Sequence, residues 1–140
     1  MITFHSPNTH SPLTQQGEQL VASDGEHFPV VHGIPRFVPA DNYAAAFGLQ
    51  WKNFAKTQLD SFSGLSESKD RLERCLGFPI SDLKGKNILE VGCGAGRFTE
   101  LLVASGANVH SVDLSQAVEG NKENIGIATN YSIAQRSEEH

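Results

Sequence analysis

The sequence predicts an α/β protein in which a small β module and a helical segment precede a short parallel sheet. Three observations carry that prediction. Residues 84–140 alternate short apolar runs with helical periodicity, in the order strand, helix, strand, helix, strand. Residues 41–76 turn helical in pattern, with apolar side chains from Tyr43 to Ala55 at three- and four-residue steps. Residues 1–40 contain Pro7, Pro12, Pro29 and Pro35, with Pro39 at the edge, and turn signals such as Ser23-Asp24-Gly25, a pattern for short strands rather than helix.

Taken in order, residues 26–31 and 34–38 read as short, proline-limited strands. Tyr43, Phe47, Trp51, Phe54 and Ala55 fall on one side of a helix, and this aromatic stripe reads as core. Ser61-Phe62-Ser63-Gly64 is a break before a second helix near residues 68–76, stopped by Gly77 with Pro79 beyond. Asn87-Ile88-Leu89-Glu90-Val91 is a buried strand entering a glycine cluster. Residues 97–105 form a helix with Phe98, Leu101 and Leu102 on one face, closed by Gly106. Asn108-Val109-His110-Ser111-Val112-Asp113 is the next strand, Ser115 caps a helix through Asn124, and residues 130–135 form a third strand. The division expected is 1–40, 41–83 and 84–140.

Composition narrows the function. Across 140 residues, 39% are hydrophobic and 19% charged, which fits a packed globular chain and excludes a disordered or fibrous one. A net charge of −5 argues against a nucleic-acid grip, which needs clustered Lys and Arg. Cys75 and Cys93 are too few for a disulfide framework or a four-thiolate zinc site. His5, His10, His27 and His32 match no recognised metal spacing, so no metal is expected. No apolar run is long enough to cross a bilayer, and the N-terminus lacks the charged and apolar regions of a secretory signal, which predicts a cytoplasmic protein.

The informative stretch is Glu90-Val91-Gly92-Cys93-Gly94-Ala95-Gly96-Arg97. Its glycines stand where a strand must turn tightly into a helix, and they let a ligand press against the backbone. The turn lies beyond the carboxyl end of the strand, where open α/β sheets place ligands. Arg97 occupies the position of the last glycine of a dinucleotide fingerprint, which disfavours a nicotinamide cofactor. Glu90, just before the turn, repels a diphosphate and attracts a cation. Asp113 ends the following strand, the usual place for an acid that holds ribose hydroxyls. Together these suit a cationic nucleoside carrying an amino acid. Cys93 reads as a small apolar filler of the bend rather than a nucleophile, and Arg97 as a residue that caps or solvates its helix.

Residues 88–98 resemble the first motif of the class I S-adenosylmethionine-dependent methyltransferases, and Val112-Asp113-Leu114-Ser115 is similar to the second. The resemblance implies a Rossmann-like, doubly wound parallel sheet, present here in part as its first three strands. It implies S-adenosylmethionine as methyl donor, bound by Glu90, Gly92, Cys93, Gly94, Gly96, Asp113 and Leu114. Glu90 would meet the methionine amine, directly or through water. The three glycines would pass under the methionine and ribose, Asp113 would bind both ribose hydroxyls, and Leu114 would lie beside the adenine.

Upstream, Gly33-Ile34-Pro35-Arg36-Phe37-Val38 and Phe47-Gly48-Leu49-Gln50-Trp51 look like the leader of a subset of these enzymes. Related leaders often carry a zinc ribbon. Here Ser6-Pro7-Asn8-Thr9-His10 stands in that region with no cysteine before Cys75, so zinc is not expected. The family's acid near the end of its third strand has no match, since Gln135 is followed by Arg136 and Ser137.

The chain is therefore expected to be a front half of such an enzyme, with a small-molecule acceptor and no nominated general base. An uncovered sheet edge would favour self-association. The alternative expectation is a non-catalytic module that binds the cofactor or a partner.

Overall fold

The computed structural model describes residues 2–39 and 59–137. The aromatic stripe of Tyr43, Phe47, Trp51, Phe54 and Ala55 lies outside the described residues.

The leader is a four-stranded antiparallel meander, β1 (Thr14–Gln16), β2 (Gln19–Val21), β3 (His27–Val31) and β4 (Ile34–Pro35). The first two strands are additional to the sequence prediction. They are joined by the two-residue turn Gly17-Glu18, with Gln16 opposite Gln19. The β3–β4 turn places both His32 (φ 52°) and Gly33 (φ 72°) in the left-handed region, as a tight primed hairpin turn requires. Leu13, Leu20, Ala22 and Val30 form the leader's own core, with Phe4, Phe28 and Phe37 packed against it.

The predicted Ser-Gly break contains a four-residue helix, α1 (Asp60–Ser63), closed by Gly64 in the left-handed conformation. Helix α2 (Glu67–Leu76) follows and ends at Gly77, whose N–H bonds the Glu73 carbonyl at 2.9 Å. Asp60 caps α2 from outside: its two carboxylate oxygens accept the Ser68 and Lys69 N–H groups at 3.0 Å each. Burial of Asp60 opposes ionisation, but these backbone bonds outweigh it and hold the carboxyl below its ordinary range. A 3-10 turn at Ile80–Leu83 leads into the sheet.

Strands β5 (Asn87–Val91), β6 (Asn108–Asp113) and β7 (Tyr131–Gln135) form a parallel sheet in chain order. Helix α3 (Thr99–Ala104) connects the first pair and α4 (Ala117–Ile125) the second. Helix α3 starts two residues and α4 one residue later than the sequence pattern implies, because the residues ahead of each remain in the turn. Ser115 still serves the start of α4, its Oγ accepting the Ala117 N–H at 3.1 Å.

The sheet is covered unevenly. Leu83, Leu102, Ala107 and Val109 form one cluster, with Ile88 against it. Leu89 and Val91, pointing to the opposite face of β5, are 67% and 52% exposed.

The leader packs into the parallel sheet. Ile34 is fully buried in a cluster with Cys93, Val118 and Ile133, a burial that contributes about 2 kcal/mol. Arg36 then pairs alongside Gln135 at the edge of β7, and the Phe37 N–H bonds the Gln135 carbonyl at 2.9 Å. That end of the β7 edge is therefore paired within the chain. The Arg36 guanidinium donates to Gln135 Oε1 at 3.0 Å, to the Val31 carbonyl at 3.1 Å, and to the Glu119 carboxylate of α4.

Candidate functional site

Where β5 ends, the backbone turns sharply, with Gly92, Gly94 and Gly96 at φ 72°, 52° and 105°. At Gly94 the conformation demands glycine, and a Cβ built there meets nothing within 4 Å. That side of the bend is open. The bend is also tied to β6: the N–H groups of Gly92 and Cys93 reach the Val112 carbonyl at 2.9 and 3.1 Å. Cys93 itself is buried beneath the turn.

Asp113, at the end of β6, points back to the bend. One carboxylate oxygen accepts the Gly94 N–H at 2.8 Å, and the other accepts the Ser115 N–H at 2.8 Å. Nineteen positions apart in sequence, the glycine and the acid are brought into contact. Each carboxylate oxygen has a second lone pair, so these bonds leave acceptor capacity at the bend. Leu114 lies next to Asp113, its carbonyl accepting Gln135 Nε2 at 2.9 Å. Beyond it a hollow of about 710 Å³ is walled by Phe37, Val38 and Pro39 of the leader together with Arg136 and Ser137.

Glu90 points to the helix side of the sheet. Its Oε2 accepts the hydroxyls of Thr99 at 2.6 Å and Ser111 at 2.7 Å. Burial pushes its carboxyl above the ordinary value, the two hydroxyls pull it back, and the nearby Asp113 charge adds to the rise. A carboxylate held at this desolvation cost gains most from a cationic ligand.

The structure thus brings Glu90, Gly92, Cys93, Gly94, Gly96, Asp113 and Leu114 around one bend. Arg97 is turned away from the bend: its Nε donates to the buried Ser68 Oγ at 3.0 Å, and its guanidinium stacks 5.2 Å from the centre of the Phe98 ring. Beside it Glu100 accepts the Ser61 N–H and hydroxyl at 3.2 and 2.7 Å. Together the two residues moor the helical segment to the start of α3. Gln135, where the family pattern has an acid, is 4% exposed and bound to Arg36 and Leu114.

Sequence reasoning missed a second layer of residues. Asn121 Nδ2 donates to the Gly94 carbonyl at 3.2 Å, and Asn124 Nδ2 to the Ala95 carbonyl at 2.9 Å. The spacing of these two amides, one helical turn apart on α4, was the available signal. Tyr131 on β7 completes the layer by donating its hydroxyl to Asn121 Oδ1 at 2.6 Å. Its phenol is pushed well up by burial, with Cys93 and Glu90 adding to the shift.

The histidines lie on separate partners. His5 bonds the His10 carbonyl, His27 the Gly25 carbonyl, and His32 the Glu119 carboxylate. Among the described residues no group of three or more His, Cys, Asp or Glu is placed to hold a metal ion. Among them too, no helix is long and apolar enough to cross a membrane.

A family model for a methyltransferase domain matches residues 61–138. The ubiquinone biosynthesis O-methyltransferase of Coxiella burnetii (strain RSA 493 / Nine Mile phase I) is 41% identical over 54 residues, 39% of this chain and 20% of that protein. The protein of the same name from Cupriavidus pinatubonensis is 36% identical over 56 residues, 37% of this chain and 22% of its own length. The chain spans about a fifth of the length of these curated relatives. Among solved structures, phosphoethanolamine N-methyltransferase 1 of Haemonchus contortus, in complex with phosphoethanolamine and S-adenosylhomocysteine, is 26% identical. That match covers 66% of this chain and 20% of that one, with a TM-score of 0.47. Because the methyltransferase-domain model spans more than half of the chain, from α1 to beyond the third parallel strand, this chain belongs to the class I S-adenosylmethionine-dependent methyltransferases.

Proposed function

We propose that the bend after β5 binds S-adenosylmethionine, in a partial Rossmann-like, doubly wound sheet, and that the activity served is methyl transfer to a small-molecule acceptor. The observation that carries this reading is the Asp113 carboxylate meeting the Gly94 N–H across the bend at 2.8 Å. It puts an acceptor for sugar hydroxyls at a backbone surface with no side chain to obstruct a ligand. The residues fit the group. Gly94 opens to space, Asp113 offers its remaining lone pairs to the ribose, and the half-buried Glu90 supplies negative charge for the methionine ammonium and the sulfonium. Leu114 and the hollow beyond it offer an apolar berth for the base.

Bound there, the cofactor supplies an electrophilic methyl group. This chain contributes orientation and exclusion of water, which suffice where the leaving thioether needs no activation. The ubiquinone-biosynthesis relatives make an oxygen of a small molecule the first acceptor class to try.

Calorimetric titration of the full chain with S-adenosylmethionine and S-adenosylhomocysteine tests the site. Saturable binding of both, lost in Gly94→Val, is the expected result, and no heat with either ligand overturns it. A second reading, a cofactor-binding module without turnover, is favoured by the bare Leu89 and Val91 on β5, an apolar strip that calls for another covering element. Cofactor binding with no methyl transfer to any of a panel of phenolic acceptors would select that reading.

A further inference from the structure

Behind the bend, three side chains that the cofactor reading leaves without a role, Tyr131, Asn121 and Thr99, form one hydrogen-bonded series that ends on Glu90. Tyr131 donates to Asn121 Oδ1, Asn121 Nδ2 donates to Thr99 Oγ1 at 3.0 Å and to the Gly94 carbonyl, and Thr99 donates to Glu90 Oε2. Asn121 and Thr99 are fully buried, so neither exchanges these partners for water.

The direction of the series is set at its Glu90 end. An ionised carboxylate only accepts, so the Thr99 proton points to Glu90 and the Thr99 oxygen is left as an acceptor. Asn121 must then turn its amide nitrogen toward Thr99 and its oxygen toward Tyr131. That same nitrogen holds the Gly94 carbonyl. A flipped amide would set the Asn121 oxygen against two acceptors, the Gly94 carbonyl and the Thr99 oxygen whose proton is committed to Glu90, which costs more than the bonds themselves return.

We propose that Asn121 is a positioning residue: through Thr99 it transmits the ionisation of Glu90 to the Gly94 carbonyl, so that the bend keeps its ligand-binding shape while Glu90 is charged. This inference rests on the reading of the bend as the cofactor site. The groups that face Glu90 are Thr99 from α3, Ser111 and Asp113 from β6, and Tyr131 from β7, with Cys93 beside Tyr131. Of these Asp113 is the nearby like charge, and it works against ionisation of Glu90.

The test compares the wild-type chain with Asn121→Ala and Tyr131→Phe. It follows the Glu90 side-chain carboxyl by carbon-13 NMR across pH, together with S-adenosylhomocysteine affinity and melting temperature. Removing the amide takes away the donor that polarises the Thr99 hydroxyl, so the Glu90 midpoint should rise in Asn121→Ala. Affinity at neutral pH should fall about tenfold. Tyr131→Phe keeps the ring and removes only the hydroxyl, so both changes should be smaller and in the same direction, with melting close to wild type.

A midpoint that stays put in both variants overturns the relay, whatever the affinities do. Affinity that falls only in step with melting temperature, the midpoint unmoved, overturns it as well. A moved midpoint in a chain whose wild type fails to bind S-adenosylhomocysteine supports the relay and overturns the cofactor reading.

Discussion

Asp113 in the parallel sheet and Glu26 in the leader each fasten a turn to a strand, but they grip different things. Asp113 accepts backbone N–H groups from Gly94 and Ser115. Glu26 accepts the side chains of Ser6, Asn8 and Thr9, while Ser6 Oγ takes the N–H groups of Asn8 and Thr9 at 3.1 Å each. The leader turn is closed by its own side chains, and its hydrogen bonds fix a shape. The bend after β5 has glycines in place of side chains and is held from below and from one end. Its outer surface is open at Gly94. The two turns differ in where their restraints come from.

Arg36 links the two regions, and its loss should have the largest effect. It is 9% exposed and bonds Gln135, Val31 and Glu119. Arg36→Ala should lower stability in urea unfolding by about 3 kcal/mol, since it leaves Glu119 with only the exposed His32 and strips the buried Gln135 Oε1 of its donor. A loss under about 1 kcal/mol would mean that leader and core are held separately.

Asp113→Asn sharpens the contrast next. It turns an acceptor pair into one acceptor and one donor facing backbone N–H groups. S-adenosylmethionine affinity should fall by about tenfold or more in calorimetry, and stability by about 1 kcal/mol.

Glu90→Gln tests the charge beneath the bend. Folding raises the Glu90 pKa, chiefly by burial. Its stabilising contribution is therefore present in acid, below the ordinary carboxylate value, and is lost as pH rises through the raised one. The amide removes that slope. Glu90→Gln should be about 1 kcal/mol more stable than wild type at neutral pH, equal to it near about pH 4, and a weaker cofactor binder.

Glu26→Gln should do least. Hydrogen bonds from Ser6 and then Asn8 hold the Glu26 carboxyl below its ordinary value, so its contribution is present above that value and lost as pH falls through the lowered one. In thermal melts the change should be under about 2 °C, with cofactor affinity untouched. A drop in affinity would show that the leader turn is coupled to the site.

Strands β5 and β6 were legible in the sequence as short apolar runs beside turn residues, with glycine marking the exit of β5, although β5 is less buried than its sequence suggests, Leu89 and Val91 standing exposed. The bend and Asp113 were legible for a related reason: a tight turn at positive φ requires glycine, and the return strand fixes where the acid falls. Strands β1 and β2 were not. Their Gln-rich edges bury little beyond Leu20, and the Gly17-Glu18 turn between them is a short signal with weak alternation on either side. Of Asn121, Thr99 and Tyr131, only Asn121 left a trace, its spacing to Asn124 on α4, since a buried polar network joins residues through three-dimensional proximity and has no period of its own.

Gln135 has a consequence for how such a chain can be altered. Its side-chain oxygen receives Arg36 and its nitrogen holds the carbonyl beside the candidate sugar-binding acid. A leader transplanted onto another methyltransferase core would have to find a glutamine and a helix glutamate waiting for its arginine. Grafts that move the three as a set should tolerate exchange, and grafts that move any one alone should not.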